Sequence, residues 1–131
     1  MNIAIDIDDT LTESFDYFLP YVAEYFDVDE ETLRKQNISY SNLPKEWKKD
    51  EIGFCRAYYD RIVPGTPFKQ DAAWGVKRLR ELGHRIVIIT ARTDALYTDP
   101  YQTTEQELAN GGICYDKLIC TFDKAKACVE E

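Results

Sequence analysis

Three aspartates stand close together near the start of the chain, in the stretch Asp6-Ile7-Asp8-Asp9. Asp6 and Asp8 are two positions apart, and because side chains alternate along an extended chain, both carboxylates can point to the same side. When two carboxylates are held close, their repulsion separates their proton affinities. One carboxylate then stays ionised while the other is more easily protonated. Such a pair can supply a nucleophile and a general acid–base, and a hard cation such as Mg²⁺ would relieve its repulsion and bind phosphate oxygens.

Two other interpretations of the acidic stretch have to be weighed. Three aspartates after a strand can simply form a polar turn and a helix cap, with no ligand. A calcium loop of the EF-hand type requires glycine at its sixth position and glutamate at its twelfth. Counted from Asp6, the chain has Leu11 and Tyr17 at these positions, so the calcium loop is excluded.

The acidic stretch follows a short apolar segment, and two similar segments occur later in the chain. Residues 2–7, 85–90 and 117–121 are predicted β-strands, because short apolar runs without alternation are typical of buried parallel strands. Polar residues follow the second segment as well, at Thr90 and Arg92. Ligands of open α/β sheets bind outside the carboxyl ends of the strands, so we expect a site at this edge.

Helical patterns separate the predicted strands. Apolar residues recur at helical spacing over 70–82, and a second helix is predicted over 103–110. Thr104 and Glu107 have the spacing of a capping box at the start of that second helix, and Asp123 could cap a last helix. The alternation of strands and helices predicts an α/β fold of the Rossmann-like, doubly wound type with a parallel sheet.

A long segment, residues 13–63, separates the first predicted strand from the remainder of the sheet. A crossover helix needs only about a dozen residues, so this segment must contain additional structure. Its apolar residues recur at helical spacing, and Pro44 is predicted to open a helix that extends to Ile62. We therefore predict a single domain with a core of residues 1–12 and 64–131 and an α-helical insert above the carboxyl edge of the sheet.

Composition limits the classes of partner. The 131 residues carry a net charge of −8, which argues against nucleic-acid polymers and anionic membranes, since both require a basic surface. No apolar run approaches the roughly 18 residues of a membrane span, and the N-terminal residues lack the features of a signal peptide. The four cysteines form no C-x-x-C pair, which favours free thiols in the cytoplasm. Assembly as a homodimer is left open.

The motifs and their order resemble those of the haloacid-dehalogenase superfamily. I-A-I-D-I-D-D-T-L-T is similar to its first motif, in which an apolar strand precedes D-x-D-x-T. I-V-I-I-T resembles the second motif and T-F-D-K the third, so the resemblance extends over almost the whole chain. The segments V-P-G, D-P-Y and Y-D-K-L-I-C-T-F-D-K look like those of the 5′(3′)-deoxyribonucleotidase family within this superfamily.

This resemblance implies phosphoryl transfer through an aspartyl-phosphate. By position, Asp6 would be the nucleophile, and Asp8 would protonate the leaving oxygen and then activate water. The Asp6 carboxylate and the Asp8 backbone carbonyl would also hold Mg²⁺. The residues implied in phosphate binding are Asp9, Thr10, Thr90, Ala91 and Lys124.

Candidate substrate contacts come from the insert and from the second strand. Members of the family place aromatic residues of the insert against the nucleobase, and Phe15 and Phe18 are candidates here, with core packing as the alternative. Arg92 could bind a phosphate or a substrate carboxylate, or could be a surface arginine. Lys117 competes with Lys124 for the phosphate, but its place at the start of a strand favours a solvent-facing role.

The superfamily's fourth motif, an acidic pair that supplies a metal ligand, is not found in this chain. The sequence ends at Glu130-Glu131, where the strand carrying that motif is expected, so either the chain is truncated or another acid completes the site. A catalytically silent nucleotide-binding protein and a receiver-type phosphoacceptor are alternatives. A receiver has its accepting aspartate on a different, central strand and lacks a fifty-residue insert. We therefore expect Mg²⁺-dependent hydrolysis of a phosphomonoester, such as a nucleoside or deoxynucleoside monophosphate.

Overall fold

Three parallel strands form the sheet of this α/β protein. The computed structural model describes residues 1–93, 96–121 and 123–130. The strands are β1 (Asn2–Ile5), β2 (Arg85–Thr90) and β3 (Lys117–Cys120), and they lie in the order β1-β2-β3. The predicted parallel sheet is thus confirmed.

The strands form where the apolar runs are. Residues 86–90 of β2 are all buried, as the central strand of a covered parallel sheet requires. β1 ends at Ile5, two residues before the predicted end, because the Ile7 carbonyl accepts the amides of Thr10 and Leu11 and so begins a tight turn. The acidic stretch therefore lies in a turn at the carboxyl end of β1.

Four α-helices lie within residues 13–63, the segment predicted as the helical insert. They are α1 (Ser14–Tyr25), α2 (Glu30–Lys35), α3 (Lys45–Lys48) and α4 (Glu51–Ile62). The single helix predicted from Pro44 to Ile62 is wrong, because the chain leaves the helix between α3 and α4 at Lys49 and Asp50. The predicted helical character of this segment is confirmed.

The helical insert has its own aromatic core. Phe18 of α1 stacks on Tyr59 of α4 with ring centroids 5.3 Å apart, and Tyr59 in turn contacts Tyr97, which follows β2. The Tyr17 hydroxyl also donates to the Ile62 carbonyl at 2.7 Å and joins α1 to the end of α4. These contacts fix the insert against the loop that follows β2.

The two connections of the insert run side by side. The Glu13 amide donates to the Pro67 carbonyl and the Lys69 amide to the Leu11 carbonyl, each at 2.8 Å. Between them, Thr12 and Phe68 form an antiparallel bridge. The insert is thus held at both of its ends beside the turn that carries the aspartates.

Three further α-helices lie in the described part of the chain: α5 (Ala72–Glu81), α6 (Pro100–Asn110) and α7 (Lys124–Glu130). α6 begins three residues before its predicted start, and its cap is Asp99, whose side chain accepts the Gln102 amide at 3.0 Å. The predicted capping box is therefore wrong. Asp123 does cap α7, since its carboxylate accepts the Lys126 amide at 3.1 Å. Within the described ranges, no helix is long and apolar enough to cross a membrane.

Candidate functional site

The carboxyl ends of the three strands bring distant segments together. Asp6 follows β1, Ala91 follows β2 and Thr121 follows β3. The Thr121 amide donates to the Thr90 carbonyl at 2.8 Å, so the last two strands stay in register to their ends. This edge of the sheet is where polar groups from the whole chain can meet a ligand.

Lys124 and Asp6 form an ion pair across this edge. The Lys124 ammonium donates to Asp6 Oδ1 at 2.8 Å. Both side chains are about two-fifths exposed, at 40% and 41%, so the pair faces solvent rather than the core. Lys124 is the first residue of α7, so the backbone that holds this ammonium group next to Asp6 is helical.

Asp8 is held by two donors that meet on one oxygen. Oδ1 accepts from Arg92 Nη2 and from the Ser14 hydroxyl, at 2.9 Å in both cases. The Ser14 hydroxyl also contacts the Thr12 hydroxyl, which donates to the Ile7 carbonyl at 3.3 Å. The turn after β1, the start of α1 and the segment after β2 thereby fix the orientation of a single carboxylate.

Arg92 is buried, with 2% of its surface exposed, so the interpretation as a surface arginine is wrong. Its guanidinium makes a close bidentate ion pair with the fully buried Glu107 of α6. Burial by itself would lower the pKa of Arg92, but the charge of Asp8, followed by Tyr97 and Glu107, raises it well above its usual value. Arg92 is therefore a buried side chain that stays positively charged and bonds Asp8 from the protein interior.

The Glu107 carboxyl lies deep between α6 and the site. Burial raises its pKa, and the charge of Arg92 opposes that shift. The two buried charges offset each other, whereas either group alone would be costly. Among the described residues, Arg92 Nε has no hydrogen-bond partner. The Arg92 side chain accordingly directs most of its donors to protein atoms, which leaves little surface for a substrate.

The residues implied in phosphate binding occupy different environments. Asp9 and Thr10 are exposed in the turn, Ala91 is half-buried and Thr90 is 1% exposed. Asp9 has a φ of 57°, a left-handed conformation that aspartate tolerates better than most residues. Its carboxylate accepts the Phe15 amide at 3.2 Å, so this side chain caps α1 rather than facing only solvent.

The two candidate aromatic residues of the insert differ in burial. Phe18 is 1% exposed and belongs to the aromatic core of the insert, not to a substrate-facing surface. Phe15 is half-buried and packs against Tyr40, with ring centroids 5.5 Å apart. Only Phe15 of the two has exposed ring surface for a ligand.

The donor set at this edge is compatible with Mg²⁺. Among the described residues, no group of three metal-ligating side chains lies together. Magnesium commonly takes only one or two protein carboxylates and completes its shell with water and substrate phosphate. The Asp6 carboxylate would be one such ligand and the Asp8 backbone carbonyl a second oxygen, and the partly exposed Asp6 side chain, at 41%, leaves room for those other ligands.

The structure adds three residues to the site that the sequence patterns did not place there. Ser14 supports Asp8, Glu107 pairs with Arg92, and the Lys69 ammonium donates to the Asp9 carbonyl at 2.9 Å. Glu107 has a recognisable signal, since it falls on the buried stripe of α6 with Thr104 and Leu108. A charged residue on an apolar helix face indicates a buried partner.

Comparisons of the chain with protein-family models, with curated proteins and with solved structures found no match. The resemblance to the haloacid-dehalogenase superfamily therefore rests on the three motifs and remains a prediction.

Proposed function

We propose that this protein is an Mg²⁺-dependent phosphomonoester hydrolase of the haloacid-dehalogenase type that acts through an aspartyl-phosphate on a nucleoside or deoxynucleoside monophosphate. The ion pair of Lys124 with Asp6 is the observation that carries this proposal. It combines a partly exposed carboxylate with a cation at the carboxyl edge of a parallel sheet. A nucleophile for phosphorus needs such a cation to offset the charge of the phosphate.

In the first step, an oxygen of Asp6 attacks phosphorus as the bond to the leaving oxygen breaks. Asp8 enters this step with a proton on the oxygen that does not bond Arg92 and Ser14. It donates that proton to the leaving oxygen, and the alcohol departs. In the second step, Asp8 takes a proton from water, and the resulting hydroxide attacks phosphorus. The bond to Asp6 breaks, inorganic phosphate is released and both carboxylates return to their starting states.

Several groups would stabilise the charge that the phosphoryl group carries. Lys124, whose side chain is 40% exposed, would move from the Asp6 carboxylate to the phosphate oxygens. Thr10, which is exposed in the same turn as Asp8, would offer its hydroxyl as a further donor. Mg²⁺, held by the Asp6 carboxylate and the Asp8 backbone carbonyl, would neutralise phosphate charge when bound.

The helical insert would act as a cap. Its aromatic core reaches the loop after β2 through Tyr59 and Tyr97, whose ring centroids are 5.1 Å apart. A cap in this place can exclude water and select the leaving group. Phe15, at the start of α1, is the residue that we assign to contact with a nucleobase.

The test is phosphate release from a panel of phosphomonoesters that includes deoxynucleoside monophosphates, measured with Mg²⁺ and with EDTA. Asp6→Asn should abolish release, since an amide is not a nucleophile of useful strength. Asp29→Asn, the same change at the cap position of α2, is the matched control and should keep full activity. Release that persists in Asp6→Asn would contradict the proposed nucleophile, and no release from any substrate would contradict the proposed function.

A further inference from the structure

Arg92 and Glu107 form a buried charge pair that ends on Asp8. Arg92 Nη2 bonds Asp8 Oδ1 at 2.9 Å and Glu107 Oε1 at 3.3 Å, while Nη1 contacts Glu107 Oε2 and the Thr104 hydroxyl. The side chains of Arg92 and Glu107 are only 3% and 0% exposed. One guanidinium thus connects α6 rigidly to the carboxylate at the edge of the sheet.

This arrangement limits what Arg92 can do. With 3% of its side chain exposed, it has almost no surface with which to contact a substrate. Asp8, by contrast, is 34% exposed, and its orientation depends on the two donors that meet on Oδ1. An effect of Arg92 on chemistry at this edge would therefore pass through Asp8.

We infer that Arg92 is a positioning residue for Asp8 and that Glu107 holds Arg92 in place for this task. The inference rests on the proposed function, in which Asp8 transfers a proton. Arg92 and Ser14 occupy Oδ1 and fix the plane of the carboxylate. The second oxygen of Asp8 is thereby kept in one direction, which proton transfer to a leaving oxygen requires.

A positioning role can be separated from a structural one, because the two roles respond differently when the pair is replaced as a whole. Breaking a buried ion pair on one side leaves an unpaired charge and destabilises the fold. Replacing both partners by apolar residues of similar volume is often neutral for stability. The double substitution Arg92→Met with Glu107→Leu should therefore fold, although Asp8 has lost its bond to Arg92.

The experiment compares melting temperature, kcat and KM of the wild type and the double variant. We expect a melting temperature close to that of the wild type, a loss of kcat of about 100-fold and a KM within about threefold. Wild-type kcat in the folded double variant would overturn the inference. Arg80→Met, which removes an arginine–aspartate pair at the other end of the sheet, is the control and should keep wild-type kcat.

Arg92→Lys is a second test that does not depend on the double variant folding. Lysine keeps the positive charge but loses the planar fork that bonds Asp8 and Glu107 at the same time. We expect kcat to fall by roughly tenfold with KM unchanged, and unaltered kcat would overturn the inference. A wild-type chain without phosphatase activity would instead refute the proposed function and the inference together, whereas an active wild type with unaffected variants refutes the inference alone.

Discussion

The Lys124 ammonium lies 2.8 Å from Asp6 Oδ1, although 118 residues separate the two along the chain. The parallel pairing of the strands explains why these two side chains are in contact. Asp6 leaves β1 and Lys124 begins the helix after β3, and parallel strands end at the same edge of their sheet. The first and last elements of the fold thus supply the two members of one ion pair.

Lys124→Ala should lower kcat by about 100-fold, because the charge that balances the transferring phosphoryl group is lost. The fold should tolerate this change, since an exposed ion pair contributes at most about 1 kcal/mol. Lys117→Ala is the matched control, because Lys117 is exposed at the amino end of β3. Steady-state kinetics of both variants test this prediction. A larger loss of kcat in Lys117→Ala would show that Lys117, and not Lys124, contacts the phosphate.

Ser14→Ala should reduce kcat by about 3- to 10-fold, which corresponds to the loss of one hydrogen bond to Asp8. The Ser14 side chain is fully buried, so solvent cannot replace the donor. Ser41→Ala removes an exposed hydroxyl that contacts only the Ser39 hydroxyl among the described residues, and it should leave kcat unchanged. Equal activity of the two variants would mean that Arg92 alone orients Asp8.

Phe18→Ala should lower the free energy of unfolding by about 3–5 kcal/mol, because it leaves a cavity in the aromatic core of the insert. Phe15→Ala should cost less stability, since Phe15 is only half-buried, and should raise KM for nucleotides instead. Urea denaturation and kinetics of both variants measure the two effects. A raised KM in a fully stable Phe18→Ala protein would reverse the assignment.

Asp116 should make stability depend on acid pH. The backbone amide of Ile86 and the Arg80 guanidinium lower the pKa of Asp116, in that order of size. Because this pKa is lower in the folded than in the unfolded state, the stabilisation is present above about pH 4 and is lost as pH falls through the folded value.

Thermal melts of the wild type and Asp116→Asn between pH 2 and 7 measure this contribution. The difference in melting temperature should be constant near neutral pH and should shrink below about pH 4. Arg80→Gln should reproduce part of the effect, because it removes one of the two stabilising partners. A difference that is still undiminished at pH 2 would contradict the assignment.

Local features of the sequence were sufficient to predict much of the sheet and its edge. The apolar run at 85–90 coincides with β2, and Asp123 caps α7 as its position indicated. Strands and helix caps depend mainly on residues that are close in the sequence, so they can be predicted from local sequence patterns. The predicted start of α6 was wrong because the spacing of Thr104 and Glu107 is typical of a capping box and also of two residues on one buried helix face. In the structure, they lie on the buried face of α6.

The apolar runs and the polar residues after them were enough to predict that Asp6, Asp8, Thr90 and Lys124 lie at or just beyond the carboxyl ends of strands. The groups that contact the two aspartates could not be predicted in this way. Arg92 reaches Asp8 across 84 residues and Glu107 across 15, and these bonds depend on how α6 packs against the segment after β2. Periodicity records which face of an element is apolar, but the partner of a buried charge is fixed by packing between distant elements.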